Sequence, residues 1–238
     1  MELKGSSMNE ITIWHGSEKI IKNPTYGKGK GHNDYGMGFY CTESLELAKE
    51  WACKDIGIDG FANSYTLNTN GLNILDLSDK KYHVLNWLAV LADNRDFKTT
   101  LPIAKDGKEY LIRNFLIDIK QYDLIKGYRA DDSYFAFARA FINNQINISD
   151  LEKAMRLGKL GEQIVIKSQK AFAQLKFLGY EKAQSNKYYH KRMKRNLDAN
   201  SEFVKLLNDA DIYGMHMIDI IRKGMKDGDE CLRKSGNG

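Results

Sequence analysis

The sequence has little proline and cysteine, and it has no long apolar run. Two prolines among 238 residues argue against a proline-rich linker or a stalk. Three cysteines (Cys41, Cys53 and Cys231), with no close pairing, cannot form a disulfide framework or a four-thiolate zinc site. No segment reaches the roughly 18 apolar residues that span a bilayer, and residues 1–10 lack the apolar region of a secretion signal. We therefore expect a compact cytoplasmic protein with no membrane partner.

One basic segment stands out from an otherwise mixed charge pattern. The chain has 36 basic and 31 acidic residues and a net charge of +5, which by itself names no partner. Residues 182–196, however, contain six basic side chains and no acidic one, with aromatic residues between them. Two interpretations stay open for this segment: a solvated helix face, and a surface that binds nucleic acid or another polyanion.

Apolar spacing predicts short strands scattered among helices. Strands are expected at residues 11–15, 39–42, 64–67, 72–77, 123–129 and 163–166. Helices are expected at residues 45–56 with Thr42 as N-cap, 80–93, 108–119, 134–142, 149–156 with a capping box opened by Ser149, 168–179, and from 187 onward. Because strands and helices do not alternate regularly, the pattern favours an α+β fold over a doubly wound parallel sheet.

Common phosphate-binding and metal-binding motifs are absent. Gly31 and Gly36 have the spacing of a P-loop, but Met37 follows where a lysine is required. The glycines at residues 27–31 lack the third glycine of the dinucleotide-binding fingerprint. No nucleophile elbow occurs. Since the five histidines show no close ligand pairing, we expect no metal site.

Three short segments carry a resemblance to a known superfamily. They are residues 14–17, residues 36–40 with Ala48 and Trp51 on the helix that follows, and residues 161–166. They resemble, in the same order, the signature segments of the ADP-ribosyltransferase superfamily, in the histidine-tyrosine-glutamate branch of poly(ADP-ribose) polymerases and diphtheria toxin. The resemblance covers about residues 11–178. It is strongest to bacterial domain-of-unknown-function proteins of that branch, which share a phrase like residues 130–132.

The resemblance implies a fold, a substrate and a catalytic residue. The fold is an ADP-ribosyltransferase-like split β-sandwich of two small sheets with flanking helices at residues 8–180, followed by a basic helical C-terminal extension at residues 181–238. The substrate is NAD, and no metal is needed. Glu162 is expected to bind the 2′-hydroxyl of the nicotinamide ribose and to stabilise the oxocarbenium-like sugar of the transition state.

The resemblance also assigns residues that bind NAD. His15 is expected to hold the adenosine ribose, the backbone of Gly16 to bind the carboxamide, and Tyr40 and Trp51 to stack on nicotinamide. Ser17 is a weaker candidate for the same site.

Polar residues near position 130 have two interpretations. Arg129, with Asp131 and Asp132, could bind pyrophosphate or the acceptor, or form a turn and helix cap.

Some positions depart from the polymerase pattern. Ala48 replaces a serine that binds nicotinamide there, which leaves Ser44 or water to hold the ring, and Leu47 replaces a lysine. Residues 155–161, where relatives select their acceptor, contain Arg156 and Lys159 rather than an acidic or aromatic selector.

The function expected from the resemblance is NAD-dependent mono-ADP-ribosyl transfer. The acceptor is a macromolecule, either protein or nucleic acid, and nicotinamide is released. A bacterial toxin or phage-defence effector, with an antitoxin as a further partner, fits this activity. NAD glycohydrolysis and a non-catalytic module that binds nucleic acid or another partner are the alternatives.

Overall fold

The fold is known from a computed structural model, which describes residues 9–97, 101–130, 132–156, 162–209 and 213–233. The strands are β1 (Glu10–Ser17), β2 (Phe39–Cys41), β3 (Gly60–Asn68), β4 (Ile74–Asp76), β5 (Leu124–Tyr128), β6 (Glu162–Ile166) and β7 (Leu175–Ala183). The helices are α1 (Leu45–Ala52), α2 (Val84–Asn94), α3 (Pro102–Phe115), α4 (Asp132–Ile142), α5 (Ile148–Arg156), α6 (Gln169–Ala173), α7 (Ser185–Asn208), α8 (Met217–Arg222) and α9 (Glu230–Arg233). The expected α+β class is therefore confirmed.

The strands form two small sheets. One sheet has the order β1-β3-β7, and both of its pairings are antiparallel. The other has the order β2-β6-β5-β4, in which only the β4–β5 pairing is parallel among the described strands.

The four-stranded sheet is buried on both faces. Successive side chains of a strand point to opposite faces, and the apolar residues of β5 and β6 divide accordingly. Leu124, Ile164 and Ile166 join a core cluster with residues of β1 and β3, between the two sheets. Ile125 and Val165 join a larger cluster with the helices α2 to α5. This double burial explains why β6 is a nearly continuous apolar run.

Two helices have other N-cap residues than the sequence predicts. Ser44, not Thr42, is the N-cap of α1, because its hydroxyl accepts a hydrogen bond from the amide three residues later. The backbone of Thr42 pairs instead with Trp14. The start of α5 is capped by Asn147, whose side-chain oxygen accepts from the amide of Asp150 at 2.9 Å, so the predicted capping box at Ser149 is wrong.

The predicted helix at 168–179 is largely wrong. Only the short α6 forms, and the chain then enters β7, which pairs with β3 over most of that strand. Leu175 and Phe177 pack against the core between the sheets, while the next residue, Leu178, is 58% exposed on the opposite face. That alternation is the period of a strand. Because β7 continues to Ala183, the sheet extends three residues beyond position 180.

Candidate functional site

A cleft opens where the two sheets separate. Two backbone hydrogen bonds join β1 to the end of β2: Trp14 N–H donates to Thr42 O at 2.7 Å, and Thr42 N–H donates to Trp14 O at 2.9 Å. Beyond this bridge lies a cleft of about 620 Å³. Of the seven predicted site residues, five line it: His15, Gly16, Tyr40, Trp51 and Arg129. Ser17 and Glu162 are not part of its lining.

The backbone of Gly16 faces the gap between the sheets. In a strand, the N–H and C=O groups of alternate residues point to the same side. Since those of Trp14 point to β2, those of Gly16 point the same way, away from β3. A Cβ at position 16 would lie 2.0 Å from the carbonyl oxygen of Ala48 and 2.8 Å from the amide of Ala52. Glycine is therefore needed here because the backbone of α1 packs directly on β1.

His15 presents a hydrogen-bond acceptor to the cleft. Its Nδ1 lies 2.7 Å from the carbonyl oxygen of Tyr40, and a carbonyl can only accept, so Nδ1 carries the proton. The ring stacks on Phe39 with centroids 4.3 Å apart. Burial, and to a smaller extent the charge of Lys54, lowers the pKa of His15. The imidazole is therefore neutral at pH 7, and its Nε2, which has no hydrogen-bond partner among the described residues, can accept a hydrogen bond from a hydroxyl group.

Tyr40 is fixed by its hydroxyl. The hydroxyl accepts a hydrogen bond from the amide of Tyr35 at 3.0 Å and donates one to the carbonyl of Gly36 at 2.6 Å. Burial raises the pKa of Tyr40 far above its usual range. The phenol therefore stays neutral and holds the glycine-rich loop at residues 27–38, which leaves the ring face as the part that a ligand can use.

Trp51 lies on α1 and contributes a second aromatic surface. The guanidinium of Arg129 lies 4.8 Å from the centre of the indole ring, within the range of a cation–π contact. The indole Nε1 is buried and has no hydrogen-bond partner in the described part of the chain. Since buried donors are normally paired, this N–H is available to a ligand.

Glu162 lies at the start of β6, opposite Tyr128 of β5. Its Oε2 is 2.8 Å from Nζ of Lys126, which in turn lies 3.5 Å from a carboxylate oxygen of Glu43. The hydrogen bond to Glu162 is the main cause of the raised pKa of Lys126. The next residue, Gln163, points to the other face of the sheet and lines the cleft. Residues 157–161, including Lys159 of the predicted acceptor loop, lie outside the described residues, as do Asp131 and the side chains of Asp132 and Arg156.

Ser17 takes part in a structural hydrogen-bond network. Its hydroxyl accepts from the side-chain amide of Asn63 at 3.1 Å and donates to the carbonyl of Lys19. Asn63 is fully buried, and its oxygen accepts from the amide of Ile21 at 2.9 Å. The side chain of Asn63 therefore fixes the path of the chain after β1, and no local sequence pattern predicts this role.

A second buried network forms the floor of the cleft and was missed from the sequence. Asp34 Oδ1 accepts from Arg95 at 3.0 Å, and Oδ2 accepts from the amide of Ala130 and from Gln163, both at 2.8 Å. Asp34 is 6% exposed. One carboxylate thus ties the glycine-rich loop to α2, to the end of β5 and to β6.

The cleft is strongly cationic. Among the described residues its basic side chains are Lys28, Lys30, Lys54, Arg95, Arg129 and Arg192, and Asp34 is the one acidic residue of the described lining. Since Asp34 already forms an ion pair with Arg95, the field favours an anionic ligand. Within the described residues, no group of three or more histidine, cysteine or acidic side chains could hold a metal ion. No helix in the same residues has the length and apolar character to cross a membrane.

Fold and cleft together define an α+β protein with two small sheets and a cationic, aromatic-walled cleft between them. Residues 11–177 match the family described as "Protein of unknown function (DUF3990)". As the match covers well over half of the chain, the protein belongs to this family. No curated protein and no solved structure matches the chain.

Proposed function

We propose that the protein is an NAD-dependent mono-ADP-ribosyltransferase. The observation that carries this proposal is the convergence of His15, Gly16, Tyr40 and Trp51 on one cleft. These are the residues that the resemblance assigns to NAD, and they come from three separate elements. The two-sheet architecture supports the finer assignment to an ADP-ribosyltransferase-like split β-sandwich.

The cleft offers complementary groups for the nicotinamide, a ribose and the two phosphates of NAD. The peptide groups of Gly16 match the donor and acceptor of the carboxamide, and the ring faces of Tyr40 and Trp51 match the flat nicotinamide. The Nε2 of His15 can accept from a ribose hydroxyl. The cationic lining matches the two phosphates.

Glu162 supplies the chemistry. In the reaction, the bond between C1′ of the ribose and the nicotinamide nitrogen breaks, and its electron pair leaves with nicotinamide. The cationic sugar then forms a bond to a nucleophilic atom of the acceptor, which loses its proton. Glu162 stabilises the cationic sugar by accepting from the 2′-hydroxyl. Lys126 engages Oε2 only, and Oε1 has no hydrogen-bond partner among the residues described.

The acceptor is proposed to be a macromolecule, and the biological role that of a bacterial toxin or phage-defence effector. A second candidate function is a module that binds the nucleotide without cleaving it. The ion pair of Glu162 with Lys126, away from the cleft lining, favours that candidate.

One experiment separates the candidates. The purified chain is incubated with NAD, released nicotinamide is measured, and a lysate treated with tagged NAD is divided between protease and nuclease digestion. Nicotinamide release with a labelled macromolecule supports transfer, and the digestion that removes the label identifies the acceptor class. Release without any label indicates NAD glycohydrolysis. NAD binding without release indicates the non-catalytic module and overturns the proposal.

A further inference from the structure

Of the six basic residues at positions 182–195, three form ion pairs, one lines the cleft, and Lys187 and Lys194 do neither among the described residues. Lys191 and Arg195 bind Glu46 and Glu50 of α1, and Lys182 binds Asp59 at 2.9 Å. Arg192 lines the cleft.

The ion pairs explain how Arg192 reaches the cleft. Glu46 and Glu50 lie one turn apart on α1, and their partners Lys191 and Arg195 lie one turn apart on α7, so the two helices pack side by side in register. Glu50 is 4% exposed, which makes this contact an internal one. Trp51 follows Glu50 and lines the cleft. Arg192 lies between the two anchoring turns and adds to the wall that Trp51 forms.

Arg192 differs from Lys187 and Lys194, which also have no acidic partner among the described residues, in lining the cleft. Over the described part of the chain it forms no ion pair, although it is half-buried. A half-buried guanidinium without a counter-charge is costly unless a ligand supplies one. Arginine is also the side chain best suited to binding a phosphate through two parallel hydrogen bonds.

We propose that Arg192 binds a phosphate group of the nucleotide in the cleft, so that the C-terminal helix α7 completes the substrate site. This inference rests on the proposed function. It also assigns a role in substrate binding to a segment that lies outside the family match at residues 11–177. The basic segment is then mainly a surface that docks α7 on α1 and presents one arginine to the substrate.

The test measures the Kd of NAD by calorimetry for the full-length protein and three variants. Arg192→Gln removes the charge from the cleft, and Arg192→Lys keeps the charge but not the paired hydrogen bonds. Lys194→Gln is the matched control, because Lys194 lies on the exposed side of the same helix and outside the cleft lining. Thermal unfolding of each variant checks that the fold is retained.

We expect Arg192→Gln to raise the Kd roughly 10- to 100-fold, the range for a lost charge-assisted hydrogen bond. The Kd of Arg192→Lys should lie between those of Arg192→Gln and the parent protein, and Lys194→Gln should change the Kd less than about twofold. Equal Kd values for the two glutamine variants would overturn the inference, whether both are weakened or neither is. If the parent protein binds NAD, responds to Arg192→Gln and yet releases no nicotinamide, only the proposed transferase activity fails. Absence of NAD binding by the parent protein overturns both.

Discussion

Replacement of Glu162 by glutamine tests the proposed chemistry most directly. The substitution keeps the shape of the side chain and removes its charge. Glutamine can still hydrogen-bond a ribose hydroxyl, so the substrate loses little in the ground state. The cationic sugar of the transition state loses its counter-charge. An interaction that is stronger in the transition state than in the ground state appears in kcat rather than in KM.

The expected size follows from the surroundings of the carboxylate. Removal of one electrostatic stabiliser at a reacting centre costs about 3–4 kcal/mol, or about 10²- to 10³-fold in kcat. The KM for NAD should change less than about threefold. The fold should be little affected, because the side chains of Glu162 and Lys126 are 35% and 29% exposed, and such pairs contribute about 0.2–1 kcal/mol. We therefore expect the Tm to fall by no more than about 4 °C.

The assay is steady-state nicotinamide release, with Glu43→Gln as the matched control. Glu43 is a carboxylate that contacts the same lysine, at 3.5 Å, but it is 52% exposed and outside the cleft lining. The control should retain kcat within about twofold. Two results would refute the reasoning: a fall in kcat of less than about tenfold in Glu162→Gln, or a similar fall in Glu43→Gln. A rise in KM that accounts for the whole loss would instead make Glu162 a binding residue.

Three further substitutions test the framework of the site. Gly16→Ala places a Cβ 2.0 Å from the carbonyl oxygen of Ala48 and should lower the free energy of unfolding by about 1–3 kcal/mol; an unchanged denaturant midpoint would show that α1 can move away. Asp34→Asn leaves Arg95 without its counter-charge and should lower the free energy of unfolding by about 2–3 kcal/mol. This loss is smaller than for breaking a fully buried ion pair, because the side chain of Arg95 is 25% exposed. Burial lowers the pKa of His15 below 6.5, so stability is fully present above about pH 6.5 and is lost as the pH falls from there toward the folded-state pKa. In His15→Gln, the free energy of unfolding should therefore decrease less between pH 7.5 and pH 5 than in the parent protein. The same decrease in both proteins would contradict the burial of His15.

The sequence predicts those strands whose signal is local. The alternation at residues 11–13 is typical of a strand with one buried face, and the apolar run at residues 164–166 is typical of a strand buried on both faces. These two patterns suffice to place β1 and β6. The strand β7 was missed because residues 168–179 also fit a helical period. Only its pairing with β3, more than a hundred residues earlier, decides between the two.

The cleft residues divide in the same way. His15, Gly16 and Tyr40 lie in short segments whose order along the chain is distinctive, so a sequence comparison can find them. Asp34 cannot be found in that way. Its partners come from α2, the end of β5 and β6, and none of those segments carries a local pattern that predicts a buried carboxylate. Long-range hydrogen bonds of this kind are properties of the folded chain.

The position of the cleft follows from how the two sheets are joined. In the described part of the chain, one bridge, between Trp14 and Thr42, joins β1 to the end of β2, and beyond it the strands diverge. Because the strands diverge, the peptide groups of Gly16 that point toward β2 have no strand partner among the described residues. The Nδ1 of His15 donates to the carbonyl of Tyr40 beside them. Buried polar groups without partners are costly to a folded protein. The Nε1 of Trp51 is such a group in the described part of the chain, and it lies in the same cleft as Gly16 and His15, so a ligand that pairs with it offsets this cost. The bridge between Trp14 and Thr42 therefore joins the two sheets and, where it ends, leaves hydrogen-bonding groups that a ligand can use.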